Sequence, residues 1–232
     1  MIALSWSRIS DFRSCPHKFR LKYLDKAPNF QLKDEDKSPA LVRGGNIHKQ
    51  LERYVTLKVN DNLTGNEVWD PSVQKTLPLV DGILGSFNVM PERQIAIDQN
   101  FQEVDWYSKQ AWFRVIYDII GFGKVLLLGD YKTGKLTDYE GSIDTLGQLH
   151  MSAVVGMTLW PEYDKCASLY IYVDHKKTVP VDLDREEHYE AMKSSLIDEH
   201  GRINEEKEFP EKKNRYCCYC DATPQQCIHK RK

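Results

Sequence analysis

Apolar positions Ile9, Phe12, Phe19, Leu21, Tyr23 and Leu24 recur at helical spacing near the start of the chain, and Cys15-Pro16 interrupts them. The pattern predicts two short helices with Ser5 and Ser7 as candidate N-caps and a cysteine at their junction. The polar run QLKDEDKSP between Phe30 and Pro39 reads as a loop. The helical period returns from Leu41 to Val59, with Ile47, Leu51, Tyr54 and Val55 on one face and His48 and Glu52 one turn apart. A further helix is expected between Pro71 and Val89, opposed locally by Pro78, Gly82 and Gly85.

The period then changes. RQIAIDQNFQEV, WFRVIYDII and KVLLLGDYK are rich in β-branched and aromatic residues and are separated by turn-like WYSKQ and GFG, so three consecutive strands in an antiparallel meander are expected. Ser142 to Leu159 reads as helix, CASLYIYV as a buried strand, KKTVPVDL as its hairpin partner, and Asp184 to His200 as a polar helix. From Phe209 onward the chain is rich in proline, cysteine and lysine and poor in core formers, so it folds only if something ties it down. At 232 residues, one domain is expected.

Composition removes several classes. A 41% hydrophobic and 28% charged content belongs to a folded globular chain and excludes disorder and collagen-like architecture. No run approaches the length of a spanning helix, and the start lacks a basic segment followed by an apolar one, so a cytoplasmic protein with no membrane partner is expected. Six cysteines are too few for a disulfide scaffold and point to metal or redox chemistry. The net charge of -2 conceals polarity: residues 1 to 26 carry +4 and residues 212 to 232 carry +5, which leaves -11 for the middle. Ends that meet in space would form a basic face suited to a phosphate backbone.

The middle holds the candidate chemistry. GDYKTGK places Asp130 and Lys132 two residues apart at the end of an apolar run, where period-two geometry points both side chains the same way. Asp118 lies twelve residues earlier, near the end of the preceding strand, and a hairpin through Gly121 and Gly123 would bring the two carboxylates to one ion. Carboxylate oxygens select hard cations such as Mg²⁺ or Mn²⁺, and a nearby ammonium can orient a water or offset charge on a phosphate. This is equipment for phosphodiester hydrolysis.

The order of these pieces, GGNIHKQLE on a helix, a strand ending in Asp118, GDYKTGK, then a helix with QLHMSAVVG, resembles the RecB-type branch of the PD-(D/E)XK nuclease superfamily. The resemblance implies an α/β fold, a restriction-endonuclease-like mixed sheet core flanked by helices. It matches Gly44 and His48 to a G-x-x-x-H motif whose histidine joins the two acids on the metal, Lys132 to the lysine that completes the site, and Gln148 to a glutamine that helps hold DNA. Tyr131 would add its backbone carbonyl. Ser152 stands where the family's Q-x-x-x-Y motif has tyrosine, which removes an aromatic stacking surface. The imidazole of His48 beside oxygen ligands favours Mn²⁺ somewhat over Mg²⁺.

Cys217, Cys220 and Cys227 form C-x2-C-x6-C, and Cys15 is the cysteine near the other end. Four thiolates suit a tetrahedral zinc or an iron-sulfur cluster, and spacing alone does not separate them. The segment SRISDFRSCP with three late cysteines resembles the iron-sulfur subgroup of this nuclease branch, which includes the AddB nuclease and CRISPR-associated RecB-like exonucleases. That resemblance implies a structural 4Fe-4S cluster joining residues 1–26 and 209–232 into an iron-sulfur lobe made from both chain ends, beside a catalytic core at 41–183. The pinned tail would offer Lys212, Lys213, Arg215 and the residues from Lys230 to Lys232, interleaved with Tyr216 and Tyr219, to DNA. Cys218 is a substitute ligand on this reading, and Cys166 a buried small hydrophobe.

The expected activity is a metal-dependent DNA exonuclease acting on single strands. The alternatives are a non-catalytic DNA-binding accessory protein with structural zinc and an endonuclease on branched or double-stranded DNA. No G-x-x-x-x-G-K-[ST] loop is present, so ATP-driven unwinding would need a helicase or recombination partner.

Overall fold

The computed structural model describes residues 2–31, 38–134, 136 and 147–230. Arg231 and Lys232 of the basic tail, positions 32–37 of the expected loop and positions 142–146 of the expected helix lie outside the described residues. The chain divides into two compact units, Met1–Ser38 with Ile197–Lys232, and Pro39–Leu196.

In the first unit, α1 (Trp6–Ser14) and α2 (Pro16–Phe19) are separated at Cys15, because Pro16 fits the first turn of a new helix and pushes the preceding residue to extended geometry. A wider π turn, Arg20–Leu24, prolongs α2. Ile9, Phe12 and Phe19 are buried, and Phe209 from the tail stacks on Phe19 at 6.3 Å between centroids. The tail makes almost no regular structure, so its polar groups are held by the helices instead. Pro210 O accepts from His17 N at 3.3 Å, and Asn214 Nδ2 and Lys212 Nζ donate to Ser14 O and Arg13 O, each at 3.0 Å. Leu21, Ala27, Phe30 and Ala222 form a small core against which Cys220 and Cys227 pack.

The second unit begins with α3 (Pro39–Val59), which buries Ile47, Leu51, Tyr54 and Val55, the face its periodicity marks. The helix α4 (Pro71–Ser86) continues through Pro78, since Val73, Thr76, Val80 and Ile83 are buried and outweigh the local cost. The strands are β1 (Asn88–Met90), β2 (Arg93–Ile97), β3 (Glu103–Val104), β4 (Phe113–Tyr117), β5 (Ile119–Phe122) and β6 (Leu126–Lys132). They are followed by α5 (Gln148–Leu159), β7 (Lys165–Tyr172) and β8 (Lys177–Asp184). A π turn at Arg185–Tyr189 leads into α6 (Glu190–Glu205), so this helix starts and ends later than the expected 184–200.

One sheet has the order β1-β5-β6-β7-β8 and is mixed, with β6 and β7 parallel across α5 and every other pair antiparallel. A smaller antiparallel sheet has the order β3-β2-β4. The simple meander is therefore corrected: WFRVIYDII is split at Asp118 into β4 and β5, which belong to different sheets. Asp118 N still donates to Gly129 O at 3.1 Å, while its side chain takes the Tyr131 amide at 2.6 Å, so a carboxylate stands where the next ladder partner would be.

Both faces of β6 are covered. Ile47, Leu51, Val80, Leu127 and Tyr131 share the main core, on the side of α3 and α4. On the other side α5 is buried nearly all round, from Leu149 to Met157, as a helix enclosed by its own domain must be. A Cβ on Gly156 would lie 2.6 Å from Leu128 Cδ1, so the backbone of α5 rests directly on a side chain of β6.

Candidate active site

Four elements bring the candidate residues together at the C-terminal end of β6. The alternation of β6 puts Asp130 and Lys132 on one side and Tyr131 into the core. Lys132 Nζ lies 2.6 Å from Asp130 Oδ2. That oxygen is buried, and the approach lacks hydrogen-bond directionality. Gln148, in the first turn of α5, bridges the pair: its Nε2 donates to Asp130 Oδ1 at 2.5 Å and its Oε1 accepts from Lys132 Nζ at 2.9 Å.

Asp118 uses both oxygens. Oδ2 accepts from Tyr131 N, and Oδ1 lies 3.0 Å from His48 Nδ1. His48 arrives on α3, its ring edge-on to Tyr131 at 5.9 Å. The glycine one turn earlier explains how α3 comes so near: a Cβ on Gly44 would lie 3.1 Å from Thr133 Oγ1, directly after Lys132.

The electrostatics are tightly linked. Burial alone would lower the pKa of His48, but the hydrogen bond and charge of Asp118, with Asp130 behind it, hold it above the ordinary value. Burial and the nearby Asp118 raise the carboxyl of Asp130 despite Lys132. Glu92 is likewise raised by burial and by the charges of Glu52 and Asp118.

Among the described residues, no three of His, Cys, Asp and Glu stand as a preformed metal-holding group. Asp118 and His48 are turned on each other, and Asp130 on Lys132 and Gln148. The donor set nevertheless fits a hard divalent cation in its chemistry: two carboxylates and an imidazole are clustered, one carboxylate oxygen is buried without a hydrogen bond, and burial, with a smaller contribution from the charge of Asp118, raises Asp130.

The expected cysteines meet in the first unit. Cys15, Cys217, Cys220 and Cys227 line one cavity of about 410 Å³. Backbone N–H groups point at two of the sulfurs, Lys212 N at 3.5 Å from Cys15 Sγ and Asn214 N at 3.3 Å from Cys217 Sγ. Burial, together with Glu211 and Cys15, raises the thiol of Cys227, a penalty that a bound cation would reverse. Four thiols suit a thiolate-bound centre in their chemistry, although among the described residues they do not stand as a preformed metal-holding group. Cys218 is exposed and does not line the cavity, and Cys166 is buried with its thiol pushed up to about 12 by burial. Lys212, Lys213 and Arg215 are exposed, and Tyr219 and Tyr216 expose 82% and 53% of their surface beside them.

Two neighbours of the site escape sequence reasoning. Tyr170 on β7 holds its ring 4.8 Å from Lys132 Nζ. Asp174, just past β7, accepts from Gly134 N at 2.9 Å and from Arg43 Nη1 at 3.0 Å, fixing the chain that leaves Lys132. Only the parallel pairing of β6 with β7 brings them there.

Comparison with known proteins gives the arrangement a lineage. A solved structure from Eubacterium rectale, named as a candidate exonuclease, shares 13% identity with a TM-score of 0.54, over 95% of this chain and 88% of that one. The solved structure of SSO0001 has 15% identity and a TM-score of 0.47, over 95% and 84%. No curated protein is similar enough to count as a match. Among the described residues, no helix is long and apolar enough to cross a membrane. The model of the PD-(D/E)XK nuclease superfamily matches residues 3–225, which takes in α3, both acids, Lys132, α5 and three of the four cavity cysteines, Cys227 lying just beyond it. The chain belongs to the PD-(D/E)XK nuclease superfamily.

Proposed function

We propose that this chain is a divalent-metal-dependent deoxyribonuclease of the RecB-like iron-sulfur subgroup, an exonuclease that shortens single-stranded DNA. The convergence of Asp118, Asp130, His48 and Lys132 at the end of β6 carries the reading. The name of the Eubacterium rectale relative supports exonucleolytic attack at the level of fold.

His48, Asp118, Asp130 and the Tyr131 carbonyl are the residues that would hold Mg²⁺ or Mn²⁺. A cation so held supplies Lewis acidity to the phosphate and acidifies the attacking water. The chain's own groups do the rest. Asp118 fixes the Tyr131 backbone and the His48 ring at once, so these donors are positioned before substrate arrives. Lys132, held by Asp130 and Gln148, orients the water that attacks phosphorus and offsets charge as the phosphorus–oxygen bond to the departing nucleotide breaks. Gln148 places the strand through that pair, since both ends of its amide are engaged there.

The four cavity cysteines hold a structural 4Fe-4S cluster on this reading. Their cavity offers more room than one tetrahedral ion fills, and the SRISDFRSCP segment favours the cluster. The lobe at 1–26 and 209–232 then presents Lys212, Lys213 and Arg215 with Tyr216 and Tyr219 to the strand, the combination that binds single strands without sequence preference. Any helicase or recombination partner supplies unwinding from outside.

The test is anaerobic purification, quantification of iron, sulfide and zinc, and cleavage of labelled DNA with Mg²⁺ or Mn²⁺ on the same sample. Degradation of linear but not closed circular single strands, abolished in Asp130→Ala and Lys132→Ala, is expected. Undiminished cleavage by either variant, or cutting of circles, would overturn the catalytic or the exonucleolytic part respectively.

A further inference from the structure

We propose that Tyr170, a strand residue, is a positioning residue for Lys132, while Ser152 on α5 takes no part in holding it; the inference rests on the nuclease reading of the same site. Ser152 is turned inward. It is 8% exposed, and its carbonyl accepts from the buried Tyr117 hydroxyl at 2.6 Å, so this turn of α5 belongs to the core. Tyr170 stands elsewhere in the sequence but at the site in space. In the parallel ladder Asp130 pairs with Tyr170 and Lys132 with Tyr172, and residues in register share a face of the sheet.

The ring centre lies 4.8 Å from Lys132 Nζ, inside the range in which an aromatic face attracts an ammonium. The hydroxyl reaches Gln148 Oε1 at 3.4 Å, too long to be the stronger contact. Lys132 is thus held on three sides, by Asp130 Oδ2, by Gln148 Oε1 and by the Tyr170 face. A lysine has a flexible stem and a point charge, so its placement depends on such walls. The wall itself is rigid: Tyr170 is 6% exposed, packs with Leu149, and meets Tyr172 edge-on at 6.1 Å. The ring, more than the hydroxyl, supplies the third wall around the ammonium, beside Asp130 and Gln148.

The experiment compares Tyr170→Phe, Tyr170→Leu and Tyr170→Met with the parent and with Lys132→Ala, measuring kcat and KM on linear single-stranded DNA and thermal melting. Tyr170→Phe should stay within about twofold of the parent kcat, because the face is kept, while Tyr170→Leu should lose roughly tenfold in kcat with KM unchanged. Tyr170→Met serves the same comparison if the leucine variant fails to fold, since a flexible side chain fills the space without a π face. Full kcat in the folded aliphatic variants, an equal loss in Tyr170→Phe, or a change confined to KM would each overturn the role. Full activity in Lys132→Ala would instead overturn the nuclease assignment of the site.

Discussion

His48 Nδ1 lies 3.0 Å from Asp118 Oδ1, joining residues 70 apart in the chain. The other oxygen of Asp118 takes the Tyr131 amide, so one carboxylate fixes a helix and a strand together. Asp118→Asn keeps the shape and an acceptor but removes the charge that raises the pKa of His48. Its cleavage rate should fall at least about a hundredfold, in line with removal of one preorganised electrostatic group. Melting within a few degrees of the parent would place the loss in the chemistry; cleavage near the parent rate would remove Asp118 from it.

A glycine in β6 governs the same carboxylate through packing. A Cβ on Gly129 would lie 2.5 Å from Ile119 Cγ2, a stiff branch that cannot swing aside. Ile119 follows Asp118, and Gly129 O accepts the Asp118 amide. Gly129→Ala should therefore cost about 1–3 kcal/mol in denaturant unfolding and lower cleavage as well. Gly156→Ala meets the flexible ends of the Leu128 and Leu126 side chains and should cost less. Equal stability of the two variants would contradict this ranking.

These two positions show where the sequence is legible and where it is not. The buried face of α3 follows from its period, and the shared side of Asp130 and Lys132 from the two-residue repeat of a strand. The break at Asp118 leaves only a faint trace, because one aspartate interrupts an otherwise β-forming WFRVIYDII and only pairing with different partners divides it. Pro78 misleads in the opposite sense: its local cost is visible, while the burial of Val80 and Ile83 that outweighs it is tertiary. Tyr170 is unreadable for a related reason, since its place beside Lys132 depends on a parallel pairing formed across α5.

The cysteines make a prediction by contrast. Cys220 lines the cavity shared with Cys15, Cys217 and Cys227, whereas Cys218, two residues earlier, is exposed and bonds weakly to Arg215 O at 3.6 Å. If the cavity holds the proposed cluster, Cys220→Ser should lose most bound iron and sulfide and loosen the tail to limited proteolysis, because ligation would add to the contacts that order that segment. Cys218→Ser should keep both. Equal metal content in the two variants would reject the ligand set.

Stability should respond to acid through His200. It is 5% exposed on α6, and burial pulls its pKa down to about 4. The folded state thus favours the neutral ring, and the unfolded chain, with a value near 6.5, takes up more protons between those limits. Stability is complete above about pH 6.5 and is lost as pH falls toward 4. Between pH 7 and pH 5, where most carboxylates remain ionised, the loss should be about 2 kcal/mol. Urea unfolding at those two values measures it, with His200→Gln as the reference because it cannot be protonated. The variant should lose less stability on acidification than the parent, by about that same amount, while other histidines such as the buried His150, also lowered by burial, contribute equally to both. A parent and variant that weaken equally would assign the acid response to other groups.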